Sequence, residues 1–152
     1  LDSCSADELV AGALEAAHAL VADAHVAVDL PTDLPLVRAD PVLTERILLN
    51  LIHNAARHGG PTIALQVRPV ENSMWFVVED DGPGVPEEAL QDLVQRGLRL
   101  DERTPGFGLG LAIAQDICDA YGAELTFERG GSAGGLGGLA VTFCLPPGAA
   151  RL

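Results

Sequence analysis

The stretch Asp40–His58 constrains this chain most. Leu48, Leu51, Ile52 and Ala55 fall on one arc at about 100° per residue, the signature of a helix with one buried side. Asp40 is a good N-cap, Pro41 suits the first helical position, and Gly59-Gly60-Pro61 stops the helix. A helix this long with a single apolar side needs a partner layer. Thr62–Arg68 supplies it by alternating Ile63, Leu65 and Val67 with polar neighbours, and Met74–Asp80 is more apolar still. The spacing predicts a hairpin with its turn at Pro69–Ser73.

The remaining segments extend this plan. Leu9, Ala13, Ala16, Ala17 and Leu20 predict an amphipathic helix from about Ser5 to Ala24, and Val26–Leu30 a short strand. Leu36–Ala39 reads as a small extended piece between prolines, and Glu87–Leu93 as a short helix after Pro86. Gln95–Pro105 holds three Arg without periodicity and reads as a loop. Gly108–Tyr121 returns to helical spacing with Leu111, Ile113, Ala114, Ile117 and Cys118, and ends at Gly122. Leu125–Glu128 and Leu139–Leu145 predict two last strands joined through Gly130–Gly138. Helix, strand, helix, two strands, helix, two strands describes an α+β chain, with helices laid against one mostly antiparallel sheet.

Charge narrows the function. The formal net charge is −13, and all nine basic residues are Arg. Without Lys there is no Walker A loop, no strand Lys of a protein kinase of the Gly-rich-loop type, and no Schiff-base chemistry. The negative field argues against nucleic acid. Three Cys, at 4, 118 and 144, have no close pair, which reads as reduced, cytosolic and non-metal. No apolar run reaches the ~20 residues of a membrane helix, so no direct membrane contact is expected. The start at Leu1 rather than Met suggests a piece of a longer protein. At 152 residues the chain reads as a single domain.

Three local patterns have chemical potential, and each has a plain alternative. Asn50, Asn54, Arg57 and His58 share a second helix arc. It is either a solvated face or a row of ligands lining a pocket. Glu79-Asp80-Asp81-Gly82-Pro83-Gly84 follows a strand and is ordinary turn chemistry. Yet Asp80 shares the phase of Phe76 and Val78, so its carboxylate can also accept from a buried ligand amine. Gly106-Phe107-Gly108-Leu109-Gly110-Leu111 opens a helix. It is either a hinge or a phosphate site made of bare N–H groups and the helix dipole.

Their order is more specific than any one of them. Asn-x-x-x-Asn on a helix, then Asp-x-Gly-x-Gly after a strand, then Gly-x-Gly-x-Gly-Leu opening a helix, resembles the ATP-binding domain of sensor histidine kinases. These domains share the Bergerat (GHKL) fold of gyrase, heat-shock chaperone and mismatch-repair ATPases. The resemblance runs from about residue 6 to 146. It includes Ile47–Ala55, Gly108–Ile113 and the closing Gly134–Gly138 hairpin before Ala140–Leu145. It implies a two-layer α/β sandwich, a mixed sheet covered on one face by about three helices.

The resemblance also implies roles. Asn54 would bind Mg²⁺ bridging the ATP phosphates, and Asn50 would support the phosphate side. Arg57, where the family usually has Lys, and His58 would lie near phosphate or ribose. Asp80 would accept from the adenine amine, with Gly82 and Gly84 leaving room for the base. Gly106, Gly108 and Gly110 would hinge a lid over about 95–107, with Phe107, Leu109 and Leu111 beside the nucleotide. Arg99 or Arg103 would reach the γ-phosphate. Two departures stand out: Leu93-Val94-Gln95-Arg96-Gly97 occupies the place of the family's Phe-rich box, and Phe107 stands where a small residue is usual.

Related ATPases and serine kinases carry Glu four residues before the Mg²⁺-binding Asn. Here that position is Asn50, which takes no proton, and this favours transfer to a histidine, already a nucleophile. His18, His25, His53 and His58 are followed by Ala, Val, Asn and Gly, not by the acidic residue that follows the family's acceptor. The acceptor is therefore expected on a separate helical dimerisation domain, with a response regulator downstream. A degenerate nucleotide-binding module acting by protein–protein contact, or a plain GHKL-type ATPase, are the alternatives.

Overall fold

A computed structural model describes residues 2–20, 25–31, 37–58, 62–70, 73–82, 88, 108–129 and 138–145. Among the described residues the long helices are Ala6–Leu20 (α1), Pro41–His58 (α2) and Gly108–Tyr121 (α3). The strands are Asp2–Cys4 (β1), His25–Asp29 (β2), Val37–Ala39 (β3), Thr62–Val70 (β4), Ser73–Asp80 (β5), Glu124–Arg129 (β6) and Leu139–Leu145 (β7).

The helix ends follow local chemistry. Asp40 Oδ1 accepts from the N–H groups of Val42 (3.0 Å) and Leu43 (3.2 Å), which caps α2. Ser5 Oγ accepts from Glu8 N–H at 3.1 Å at the head of α1. After α3, Gly122 takes φ 78° while Ala123 N–H donates to the Cys118 carbonyl at 2.9 Å. A left-handed residue closing the last turn is a role glycine fills without strain.

Five strands form one sheet in the order β2-β4-β5-β7-β6. β2 and β4 run parallel and the other neighbours antiparallel. This is the expected mixed α+β sheet. The parallel pair is joined through α2, because a parallel neighbour needs a long crossover. β1 and β3 form a separate two-stranded ribbon, with Asp2 opposite Ala39. β1 had no periodic signal to announce it. The β4–β5 ladder also runs further than the alternation predicts, pairing Pro69 with Met74 and Val70 with Ser73. Met74 at this end is fully buried, so its packing as well as the ladder holds the longer hairpin.

Ile63, Leu65, Val67, Phe76, Val78, Phe143 and Leu145 line the covered face of the sheet. Ile47, Leu48, Leu51, Ile52 and Ala55 of α2 pack above them, with Leu9, Val10, Ala13 and Ala17 of α1 alongside. The Phe76 and Phe143 rings stack at 4.7 Å between centroids across β5 and β7. Two expectations are corrected. Ala16 is exposed and Val10 takes its place in the core of α1. Ile113 is 39% exposed, because α3 turns Ala114 and Cys118 inward instead. Of the expected helix at Glu87–Leu93 only Glu88 is described, helical and exposed, and the expected loop at Gln95–Pro105 lies outside the described residues.

Candidate functional site

Asp80 ends the central strand β5 on the face that carries Phe76 and Val78, against which α2 packs. Only 5% of it is exposed. Its Oδ1 accepts from Gly82 N–H at 2.9 Å, a local turn, and from Leu139 N–H at 3.4 Å at the head of β7. The turn reading and the ligand reading of Asp80 are therefore compatible. Oδ1 makes the turn, and no hydrogen bond to Oδ2 is made by the described residues. Burial pushes the Asp80 carboxyl above its ordinary value, the two N–H donors pull it partly back, and the neighbouring charges of Asp81 and Glu79 push it up again.

The next residue holds the loop. Asp81 N–H donates to the Thr62 carbonyl at 3.2 Å, and Thr62 N–H donates to Asp81 Oδ1 at 3.2 Å. This two-way bridge joins the start of β4 to the end of β5 and directs the chain at Gly82. Sequence reasoning missed Thr62, Asp81, Gly138 and Leu139 as parts of this site. A second acid directly after Asp80, with its own backbone partner to find, was the available signal.

On α2, Asn50 and Asn54 differ. Asn50 is half-buried and its Nδ2 donates to the Arg46 carbonyl one turn back, at 2.9 Å. Asn54 is 6% exposed, and its buried Oδ1 has no hydrogen-bond partner. An orphaned buried oxygen costs roughly 1–3 kcal/mol. Asn Oδ1 is a hard oxygen donor of the kind Mg²⁺ takes, so this atom fits such an ion. Arg57 and His58 complete the helix, but their side chains lie outside the described residues.

α3 begins at Gly108, so Gly108, Leu109 and Gly110 form its first turn. The leading N–H groups of a helix have no partners within it, and here the first turn carries no acidic residue to offset the positive end. The side chains of Leu109 and Leu111 lie outside the described residues, as do Gly84, Arg99, Arg103, Gly106 and Phe107 entirely.

A buried carboxylate with one oxygen held by backbone, an orphaned Asn oxygen on the packed helix and a glycine-led helix start are the kinds of group that hold a nucleotide. Known proteins give the family. Residues 39–149 match the family described as histidine kinase-, DNA gyrase B- and HSP90-like ATPase, and the chain belongs to that family. Within the family it is an ATP-binding catalytic domain of the histidine-kinase type. Sensor protein kinase CarS of Pseudomonas aeruginosa is 41% identical over 100 residues, 66% of this chain and 22% of the relative. Signal transduction histidine-protein kinase AfsQ2 of Streptomyces coelicolor is 36% identical over 124 residues, 79% of this chain and 22% of the relative. The chain thus spans about a fifth of the length of these curated relatives. Among solved structures, the catalytic domain of histidine kinase ThkA superposes with TM-score 0.78 at 21% identity, covering 96% of each chain. The ATP-binding domain of PrrB from Mycobacterium tuberculosis superposes with TM-score 0.72 at 25% identity, covering 96% of this chain and 98% of that one.

Proposed function

We propose that this domain binds ATP–Mg²⁺ and donates the γ-phosphate to a histidine on a separate dimerisation domain of the same parent protein, ahead of a response regulator. The observation that supports it best is the pairing of Asp80 with Asn54. One offers a carboxylate oxygen to which no described residue donates, the other a buried amide oxygen without a hydrogen-bond partner. In this reading Asp80 Oδ2 accepts from the adenine amine, and Gly82 and Gly84 leave space for the ring. Asn54 Oδ1 holds Mg²⁺, which when bound draws charge from the phosphate oxygens. The first-turn N–H groups at Gly108, Leu109 and Gly110 take phosphate oxygens. Arg57, His58, Arg99, Arg103, Gly106, Phe107 and Leu111 complete the nucleotide surface, and residues 95–107 act as its lid.

Asn50 does not provide a base, since its amide takes no proton and its Nδ2 is already donated to Arg46. The domain therefore positions phosphate and leaves the nucleophile to the acceptor histidine, which favours a kinase over an ATPase. Among the described residues no helix is long and apolar enough to cross a membrane. We place the domain in the cytoplasm, where ATP is available, and the parent protein is membrane-anchored or soluble.

The test uses radiolabelled ATP. The domain alone should stay unlabelled, and should label a separately supplied helical domain carrying a His followed by an acidic residue. Rapid labelling of His18, His25, His53 or His58 overturns the separate acceptor. Absence of nucleotide binding at millimolar ATP with Mg²⁺ overturns the reading itself.

A further inference from the structure

Gly138 sits directly before β7 and is buried against Asp80. Its N–H donates to the Asp80 carbonyl at 2.9 Å, and the next N–H, of Leu139, reaches Asp80 Oδ1 at 3.4 Å. A Cβ built on Gly138 would collide with both Asp80 Oδ1 and the Asp80 carbonyl oxygen, and would lie 2.9 Å from its carbonyl carbon. Among the described residues Gly122 alone has a positive φ, so conformation does not explain the glycine at 138. Space does. The strand carrying Asp80 cannot retreat, because β5 is bonded to β4 on one side and β7 on the other.

We infer that Gly138 is a positioning residue for base recognition. Its bare Cα lets the 138–139 peptide seat on Asp80, so that Oδ1 is held by Gly82 and Leu139 and the other oxygen is presented to the purine 6-amino group. This rests on the reading of Asp80 as the adenine acceptor. A hydrogen bond from an amine needs its acceptor oxygen at a set distance and angle. Two N–H donors on Oδ1 and a glycine against its flank leave the carboxylate one orientation. A methyl at 138 drives Oδ1 off Leu139 N–H and turns Oδ2 away from the base. Triphosphate contacts on α2 and α3 stay as they are.

The test compares binding of ATP with purine riboside triphosphate, which has hydrogen in place of the 6-amino group, both with Mg²⁺. The native domain should prefer ATP tenfold or more. Gly138→Ala should lower that preference below threefold and leave affinity for the purine riboside nucleotide within threefold of native. An equal loss for both nucleotides means a merely structural glycine and overturns the inference, as does retention of the tenfold preference. A native domain that binds both nucleotides equally overturns the Asp80 reading and this inference with it. If Gly138→Ala does not fold, amide NMR of the native domain decides. The Gly82 and Leu139 N–H signals should move together with one carboxyl titration that disappears in Asp80→Asn. A Leu139 signal indifferent to that titration overturns the inference.

Discussion

The two sides of the site are built on opposite principles. At the end of β5, backbone N–H groups satisfy one oxygen of Asp80 and the Asp81–Thr62 bridge holds the turn. On α2, Asn54 Oδ1 is buried with nothing to accept from, while Asn50 is satisfied by its own helix. On the sheet side the backbone already fixes one carboxylate oxygen and the turn around it. The helix side stays incomplete until a ligand arrives. A rigid acceptor suits a flat base whose donor position never varies. An unsatisfied oxygen suits an ion that arrives with the phosphates, since binding then removes a penalty already present in the folded domain.

Asp80→Asn should break the sheet side hardest. The amide keeps an oxygen for Gly82 and Leu139 but turns an NH₂ toward the adenine amine, setting donor against donor. Loss of a charge-assisted bond of about 1.5–3 kcal/mol corresponds to roughly ten- to hundredfold weaker ATP binding by calorimetry. The same variant should melt higher than native at neutral pH. A carboxyl raised by burial binds its proton more tightly folded than unfolded. Its stabilising contribution is therefore complete below the ordinary Asp value and is lost as pH rises through the raised one. The gain from Asn should vanish in acid. A melting temperature that falls at pH 7 would contradict this.

Asn54→Ala should separate the two sides. With Mg²⁺, ATP affinity should drop about tenfold, ~1.4 kcal/mol. With chelator, native and variant should agree within twofold, because the base side is untouched. Equal losses in both conditions would place the Asn54 role elsewhere. Asn50→Ala should do least, with under threefold change in affinity. Its side chain bonds to Arg46, and Ala is the better helix former, so the melting temperature should hold or rise slightly. A tenfold affinity loss there would mean that Asn50 leaves Arg46 when nucleotide binds.

Much of this was legible in the chain. Asp40 and Pro41 announced α2 because caps and first-turn preferences are local. The phase of Asp80 with Phe76 and Val78 announced its side of the sheet, since strand period is fixed at two. The two Asn were visible as a pair, but not their difference. At four residues apart they look equivalent, and only burial by neighbouring elements separates them. Gly138 lies 58 residues beyond Asp80, so no window of sequence could show the collision that requires it. Ile113 looked like core by period, but α3 packs through Ala114 and Cys118 and leaves it exposed.

Local chemistry in the sequence determined the helices, strands and turns, and the order of motifs determined the family. Strand order, the β1–β3 ribbon and the contact of Gly138 with Asp80 were decided by tertiary structure alone. They depend on which distant segments meet, and close packing sets that across the whole molecule.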